Sequence, residues 1–125
     1  MTKRNIVHVE IPTKDSKVST EFYEKLFGWH IEHVEEMDYT MWDPHEGPGG
    51  GFTNVDENIK PGDVIIYVNS EDIEADLKQA AGLGGTIVQE KMEIPETGWF
   101  GMFNDPTGNT IALYTSMNPE VNQQN

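Results

Sequence analysis

Short runs of alternating apolar and polar residues, interrupted by two helical patterns, extend through most of this chain. Ile6–Ile11 alternates with a period of two, which predicts a β-strand that ends at Pro12. A helix follows, because apolar residues recur along one face at Val18, Phe22 and Leu26, with Tyr23 and Phe27 beside them. Three further strands are predicted in the first half, at Trp29–Val34, Tyr39–Trp42 and Phe52–Val55.

Capping and turn residues indicate where these elements begin and end. Asp15 or Ser16 offers an N-cap oxygen for the first helix, and Gly28 suits a left-handed C-cap. Pro44–Gly51 contains Pro48 and three consecutive glycines, and it is predicted to be a loop. The run Gly49–Gly51 is interpreted there as either a flexible lid or a plain turn.

The same order of elements recurs in the second half, about 57 residues later, from Ile6 to Asp63. Val64–Val68 predicts a buried strand, and Asn69 or Ser70 is the expected cap of the second helix. The apolar face of that helix is expected at Ile73, Leu77, Ala80 and Ala81, and the last three strands at Thr86–Met92, Trp99–Phe103 and Ile111–Thr115. Asp105–Asn109 has the proline and glycine spacing of a type I turn.

The repeat predicts an α+β fold with two βαβββ modules that form a curved mixed sheet around an enclosed groove. A single domain is expected over residues 1–115, with halves at about 4–56 and 61–115, and residues 116–125 as a flexible tail. Each half alone is too small to bury its sheet face well.

Composition excludes several classes of function. The chain has 125 residues, 22 acidic and 8 basic, and its net charge of −14 would repel nucleic acid and anionic membranes. It has no cysteine, so disulfides and thiolate chemistry are excluded. No apolar run approaches the ~20 residues of a membrane helix. The N-terminal residues do not form a secretory signal, so a cytoplasmic location is expected.

Two segments resemble the vicinal oxygen chelate superfamily, which contains glyoxalase I, bleomycin-resistance proteins and extradiol dioxygenases. The segments are His8–Gly28, which contains His-Val-Glu-Ile-Pro-Thr and Glu-Phe-Tyr-Glu-Lys-Leu-Phe-Gly, and Trp99–Tyr114, which contains Asp-Pro-Thr-Gly-Asn. Within it the chain looks most like small bacterial proteins related to lactoylglutathione lyase. The resemblance implies the fold, a ligand groove and a homodimer, and it leaves the chemistry open.

Metal-dependent members that resemble this chain place four ligands on four strands, where a divalent ion acts as a Lewis acid. The first position corresponds to His8, which matches. The second corresponds to Gly51 and the fourth to Ala112, which have no donor atoms. The third corresponds to Asp63 or Val64, of which only the aspartate could bind an ion. No metal ligands are therefore assigned; if an ion binds, the expected set is His8, Glu10 and Asp63.

His8 and Glu10 share one face of the first strand and are the candidate catalytic residues, with the imidazole as a hydrogen-bond partner or general base. Tyr67 and Tyr114 are candidate ligand-binding residues that could stack on a planar ligand or pack in the core. Trp99 is a third candidate, because it lies between Gly98 and Gly101 in a loop-like context.

Three functions remain open at this point. The first is a protein that binds a small molecule in its groove without a metal or other cofactor, as bleomycin-resistance relatives do. The second is a divalent-metal-dependent lyase, isomerase or dioxygenase acting on a substrate with vicinal oxygens. The third is a metal-free enzyme with His8 as its base. The sequence does not decide whether the protein is an enzyme.

Overall fold

The computed structural model of the chain describes residues 3–117. Its strands are β1 (Ile6–Thr13), β2 (His30–Val34), β3 (Tyr39–Asp43), β4 (Gly49–Asn54), β5 (Ile65–Asn69), β6 (Thr86–Ile94), β7 (Gly98–Asn104) and β8 (Thr110–Ser116). Its helices are α1 (Ser16–Phe27) and α2 (Ile73–Gly82), and one 3-10 turn covers Glu35–Met37. Strand, helix and three strands therefore occur twice, which confirms the α+β class and the duplicated βαβββ order. Neither described helix is long and apolar enough to cross a lipid bilayer.

The residues divide into two compact units. One comprises His8–Ile65, and the other comprises residues 3–7 and 66–117. The start of the chain belongs to the second of these units, where Asn5 and Lys3 accept hydrogen bonds from Asn69 and Arg4 pairs with Asp76. Strand β8 ends at Ser116, and the Met117 amide donates to the Thr97 carbonyl. The predicted domain bounds and halves stay a prediction. The rest of the predicted tail lies outside the described residues.

In the first unit four strands pair in the order β2-β3-β4-β1. β2 and β3 are antiparallel, as are β3 and β4, and β4 runs parallel to β1. The register sets Gly51 beside Glu10 on one side and beside Met41 on the other. Because side chains alternate along a strand, these three positions share one face of the sheet.

The prediction that Gly49–Gly51 is a loop is wrong, because these residues form the start of β4. None of the three has a positive φ, so the backbone does not require glycine there. The requirement is space. A Cβ at Gly50 would overlap the Val9 carbonyl and the Trp42 ring, and a Cβ at Gly51 would overlap Tyr39. The glycines let neighbouring groups approach the strand closely.

Helix α1 begins at the predicted cap, because the Asp15 carboxylate accepts from the amides of Lys17 and Val18. It ends at Gly28, whose φ of 73° is left-handed. Part of the predicted apolar face is wrong, because Val18, Phe22 and Leu26 are 65%, 56% and 58% exposed. Tyr23, which is predicted beside them, does pack, and its ring stacks on Trp29 and Phe52.

In the second unit the strands pair in the order β5-β8-β7-β6, with β5 parallel to β8 and the other pairs antiparallel. Helix α2 packs Ile73 and Leu77 against Leu113, as its apolar face predicts. Its N-cap is Asp72, which accepts from the Ala75 amide, and the predicted caps Asn69 and Ser70 are wrong. Both of those residues are occupied elsewhere: Asn69 ends β5, and the Ser70 hydroxyl donates to Asp76.

The two helices differ in how they pack on their own sheets. Their N-caps lie 57 positions apart, at residues 15 and 72, so Ser16 and Thr20 are the counterparts of Ile73 and Leu77. Ile73 and Leu77 are each 1% exposed, whereas no residue of α1 is buried. A cavity of about 780 Å³ that is open to solvent lies beside α1, lined by Ser16, Lys17, Thr20, Glu21, Glu24, Ile31, His33, Asp38 and Thr40. Ser16 and Thr20, the polar counterparts of Ile73 and Leu77, both line it.

Candidate functional site

Three side chains of the first unit form a hydrogen-bonded row on the sheet face that α1 does not cover. The Tyr39 hydroxyl lies 2.9 Å from His8 Nε2 and 2.9 Å from Glu10 Oε2. The rings of His8 and Tyr39 are nearly parallel, with centroids 6.1 Å apart and planes 28° apart. All three side chains are half-buried. The two candidate catalytic residues predicted from the sequence are therefore joined by one phenolic oxygen.

Strand geometry brings this row together. His8 and Glu10 are two residues apart on β1, so their side chains leave the same face. Tyr39 is the first residue of β3 and reaches them across β4, which lies between β3 and β1. It crosses at Gly51, whose missing side chain leaves room for the phenol. The row depends on a glycine at that one position of β4.

Hydrogen-bond directions follow from the donor inventory of each group. An ionised Glu10 carboxylate only accepts, so the Tyr39 hydroxyl donates its single proton to it. The Tyr39 oxygen then accepts from His8 Nε2–H, which fixes the Nε2-protonated tautomer of a neutral imidazole. Burial lowers the pKa of His8 to about 4, so the ring is neutral at pH 7. The hydrogen-bonded row therefore leads from the neutral imidazole of His8, through the phenol of Tyr39, to the carboxylate of Glu10.

The donor atoms for a catalytic metal ion are too few. His8 and Glu10 are present, but Gly51 and Ala112 supply none. The 57-residue spacing of the N-caps makes Ile65 the counterpart of His8, and it supplies none either. Within residues 3–117, no group of three or more His, Asp or Glu side chains is placed to hold an ion. Since catalytic ions usually have three protein ligands, this donor set does not fit one.

Asp63, the third member of the conditional metal set, lies ahead of β5. It is exposed, and its carboxylate accepts from the Lys60 amide while its own amide donates to the Lys60 carbonyl. These two bonds close a small turn before the strand. The structure therefore gives Asp63 a local turn-forming contact.

The second unit carries the tyrosines that were predicted to bind ligand. Tyr67 on β5 is opposite Ala112 on β8, and Tyr114 is two residues further along that strand, so the three share one sheet face. Tyr67 is 9% exposed. The Tyr114 hydroxyl donates to the Thr97 carbonyl at 3.3 Å, and burial raises the pKa of Tyr114. The face combines two phenols with the small side chain of Ala112.

Trp99 lies on the opposite face of the second unit. It is part of strand β7, where it packs against the core of Ile73, Leu77 and Leu113. The Lys91 ammonium lies 5.3 Å from the centre of its ring, within the range of a cation–π contact. The two glycines that suggested a loop are strand residues, and Gly101 leaves space for Ile73 and Leu77. The predicted role of Trp99 in ligand binding stays a prediction.

Sequence reasoning placed Tyr39 in a strand and gave it no role at the site. The signal that could have found it is the combination of a tyrosine on β3 with a glycine at the expected ligand position of β4. Recognising that combination requires the strand register, because the two residues are twelve positions apart in the chain. Local patterns do not fix such a register.

Two curated relatives are named “Putative glyoxylase CFP32”, one from Mycobacterium bovis and one from Mycobacterium tuberculosis. Each is 25% identical to this chain over 117 residues, which is 91% of the chain and 44% of the relative. The chain thus spans less than half the length of the curated relatives it matches.

Solved structures with the same fold include a methylmalonyl-CoA epimerase from Mycobacterium tuberculosis, with a TM-score of 0.67 and 18% identity over 98% of this chain and 95% of that one. A superfamily member from Vibrio splendidus 12B01 gives a TM-score of 0.65 at 16% identity, covering 91% and 100% of the two chains. Identities this low show a shared fold alone. One family sequence profile matches residues 5–113 of this chain, which is most of its length. The chain therefore belongs to the Glyoxalase/Bleomycin resistance protein/Dioxygenase superfamily.

Proposed function

We propose that this chain is a small-molecule-binding protein of its superfamily that works without a bound catalytic metal ion. The supporting observation is the donor set: among the family's expected positions His8 has a donor on the sheet face, Asp63 is engaged in a turn with Lys60, and Gly51 and Ala112 have none. Glu10 adds a second donor beside His8, and both hydrogen-bond to Tyr39. Two protein donors fall short of the three that a catalytic ion usually has. A ligand would instead meet neutral and carboxylate hydrogen-bonding groups.

The proposed binding surface in the first unit is the sheet face with His8, Glu10 and Tyr39. In the second unit we propose the face with Tyr67 and Tyr114, whose rings offer flat apolar area beside polar hydroxyls. Ligands that combine an aromatic or planar part with several hydrogen-bonding atoms suit such groups. The net charge of −14 favours a cationic ligand over an anionic one.

The test combines ion content with turnover. Purified protein supplied with nickel, zinc, iron or manganese is expected to hold far less than one ion per chain. It is also expected to leave methylmalonyl-CoA and the hemithioacetal of methylglyoxal and glutathione unchanged. One ion per chain, with turnover that His8→Ala abolishes and His30→Ala preserves, would contradict the proposal. His30 is the matched control, because it is exposed and its ring hydrogen-bonds to Glu32 on the same strand.

Bleomycin, a cationic and oxygen-rich molecule with a planar part, is a suitable binding probe for the same variants. We expect it to raise the melting temperature equally with and without a chelator, and we expect His8→Ala to weaken this effect. Stabilisation that disappears when the chelator is added would point to the metal-dependent alternative.

The alternative function is a divalent-metal-dependent lyase, isomerase or dioxygenase. One observation favours it: His8 and Glu10 lie on one face, and both reach the same point. It requires a third donor and the displacement of Tyr39.

The predicted homodimer also stays a prediction, and sedimentation velocity distinguishes it from a monomer.

A further inference from the structure

The Tyr39 hydroxyl occupies the point that both potential metal donors of β1 reach. His8 Nε2 and Glu10 Oε2 are each 2.9 Å from its oxygen. Imidazole nitrogen and carboxylate oxygen are ligands that divalent transition ions use, and an ion shared by these two groups would lie close to that point. The phenol and an ion are therefore alternatives there.

Gly51 is what allows the phenol to reach this point. An added Cβ at position 51 would overlap the Tyr39 hydroxyl and the ring carbon that bears it. The φ of Gly51 is not positive, so its backbone conformation does not require glycine. A ligand-bearing side chain at this position of β4 and the present position of Tyr39 therefore exclude each other sterically.

Displacing Tyr39 would also break two hydrogen bonds, one of them to a carboxylate. Such charge-assisted bonds are the stronger kind, and a half-buried partner left without its bond is costly. An incoming ion would have to offset this loss with only two protein ligands. The hydrogen-bonded row is therefore favoured over a two-ligand ion site.

We infer that Tyr39 determines the specificity of this site, because its hydroxyl, admitted by Gly51, takes the place of a divalent cation between His8 and Glu10. This inference rests on the proposed metal-independent function and names the residue responsible for it. It assigns Gly51 the supporting role of leaving that place open.

Nickel titration calorimetry on the wild type and four variants tests the inference. The wild-type protein should show no saturable binding. Tyr39→Ala removes the phenol from between His8 and Glu10 and should bind nickel weakly. Tyr39→Ala combined with Gly51→Glu supplies a third donor and should bind at least about tenfold more tightly than Tyr39→Ala. Adding His8→Ala to that double variant should abolish binding, whereas adding His30→Ala should not.

A second variant keeps the test decisive if the double variant does not fold. Gly51→Ala should push Tyr39 away and shift the NMR signals of the His8 ring. Gly82→Ala is the matched control, because nothing lies within 4 Å of a Cβ at Gly82 and its φ is not positive. Unchanged His8 signals in Gly51→Ala would overturn the inference.

The inference and the proposed function fail in different ways. Wild-type protein that carries a stoichiometric ion and turns over substrate defeats the proposed function. Wild-type protein without an ion, together with a folded double variant that gains no nickel affinity, leaves that function standing and overturns the role of Tyr39. Nickel binding that survives His8→Ala in the double variant also overturns it.

Discussion

At the scale of single residues, the site is defined by one histidine whose environment keeps it neutral. Burial lowers the pKa of His8 to about 4, well below its ordinary value of 6.5. Its Nε2–H donates to Tyr39, whose own proton goes to Glu10. The fixed tautomer follows from the fact that the row ends at a carboxylate. The His8 ring is therefore uncharged at neutral pH.

This shift predicts a pH dependence of stability. Between pH 6.5 and 4 the unfolded state binds a proton at His8 that the folded state does not, so the free energy of unfolding should fall as the pH drops through this window. From pH 7 to pH 5 the loss is expected to be about 2 kcal/mol, measured by urea unfolding.

The control for this prediction is a pair of histidine substitutions. His8→Gln should remove most of the loss between pH 7 and pH 5. His30→Gln should not, because the hydrogen bond that His30 donates to the Glu32 carboxylate raises the pKa of His30, which is the opposite shift. An unchanged pH dependence in His8→Gln would show that the imidazole is not kept neutral by the fold.

At the scale of elements, the sequence predicts the strands, helices and their order, because period-two and helical spacing are local properties. Local sequence patterns gave wrong predictions where tertiary packing determines the structure. Val18, Phe22 and Leu26 form the most regular apolar stripe of α1, yet they are exposed, and Tyr23 makes the sheet contact. The glycine run resembles a loop in sequence but forms a strand. The missing side chains of Gly50 and Gly51 leave space for Trp42 and Tyr39.

The looser packing of α1 gives a prediction about one helix position. Thr20 lines the cavity at the position where α2 has the buried Leu77. Thr20→Leu should raise the free energy of unfolding by about 0.5–2 kcal/mol, because it fills space and buries apolar area. Thermal or urea unfolding measures the change.

Thr20→Ala separates filling from helix propensity, since alanine is the better helix former but leaves the cavity open. Thr20→Leu should therefore stabilise the protein more than Thr20→Ala. Equal stabilisation by the two variants would mean that the cavity beside α1 does not limit stability.

At the scale of the whole molecule, the duplicated fold was predictable from the sequence, and the candidate site was predictable only in part. Each βαβββ module repeats the same cap, helix and strand order, so the spacing of the elements predicts the duplicated fold, and the motif resemblance then indicates the family. The site was only partly predictable. His8 and Glu10 follow from alternation on β1, whereas Tyr39 reaches them from β3, which depends on a register that local patterns do not specify.

The central claim is that a tyrosine hydroxyl, and not a divalent ion, joins His8 to Glu10. A crystal structure of the protein grown in excess nickel, with anomalous data at the nickel edge, tests it most directly. We predict density for the Tyr39 hydroxyl within hydrogen-bond distance of both side chains and no anomalous peak beside His8 Nε2. An anomalous peak bound to His8, Glu10 and a further protein ligand, with Tyr39 displaced, would contradict the account.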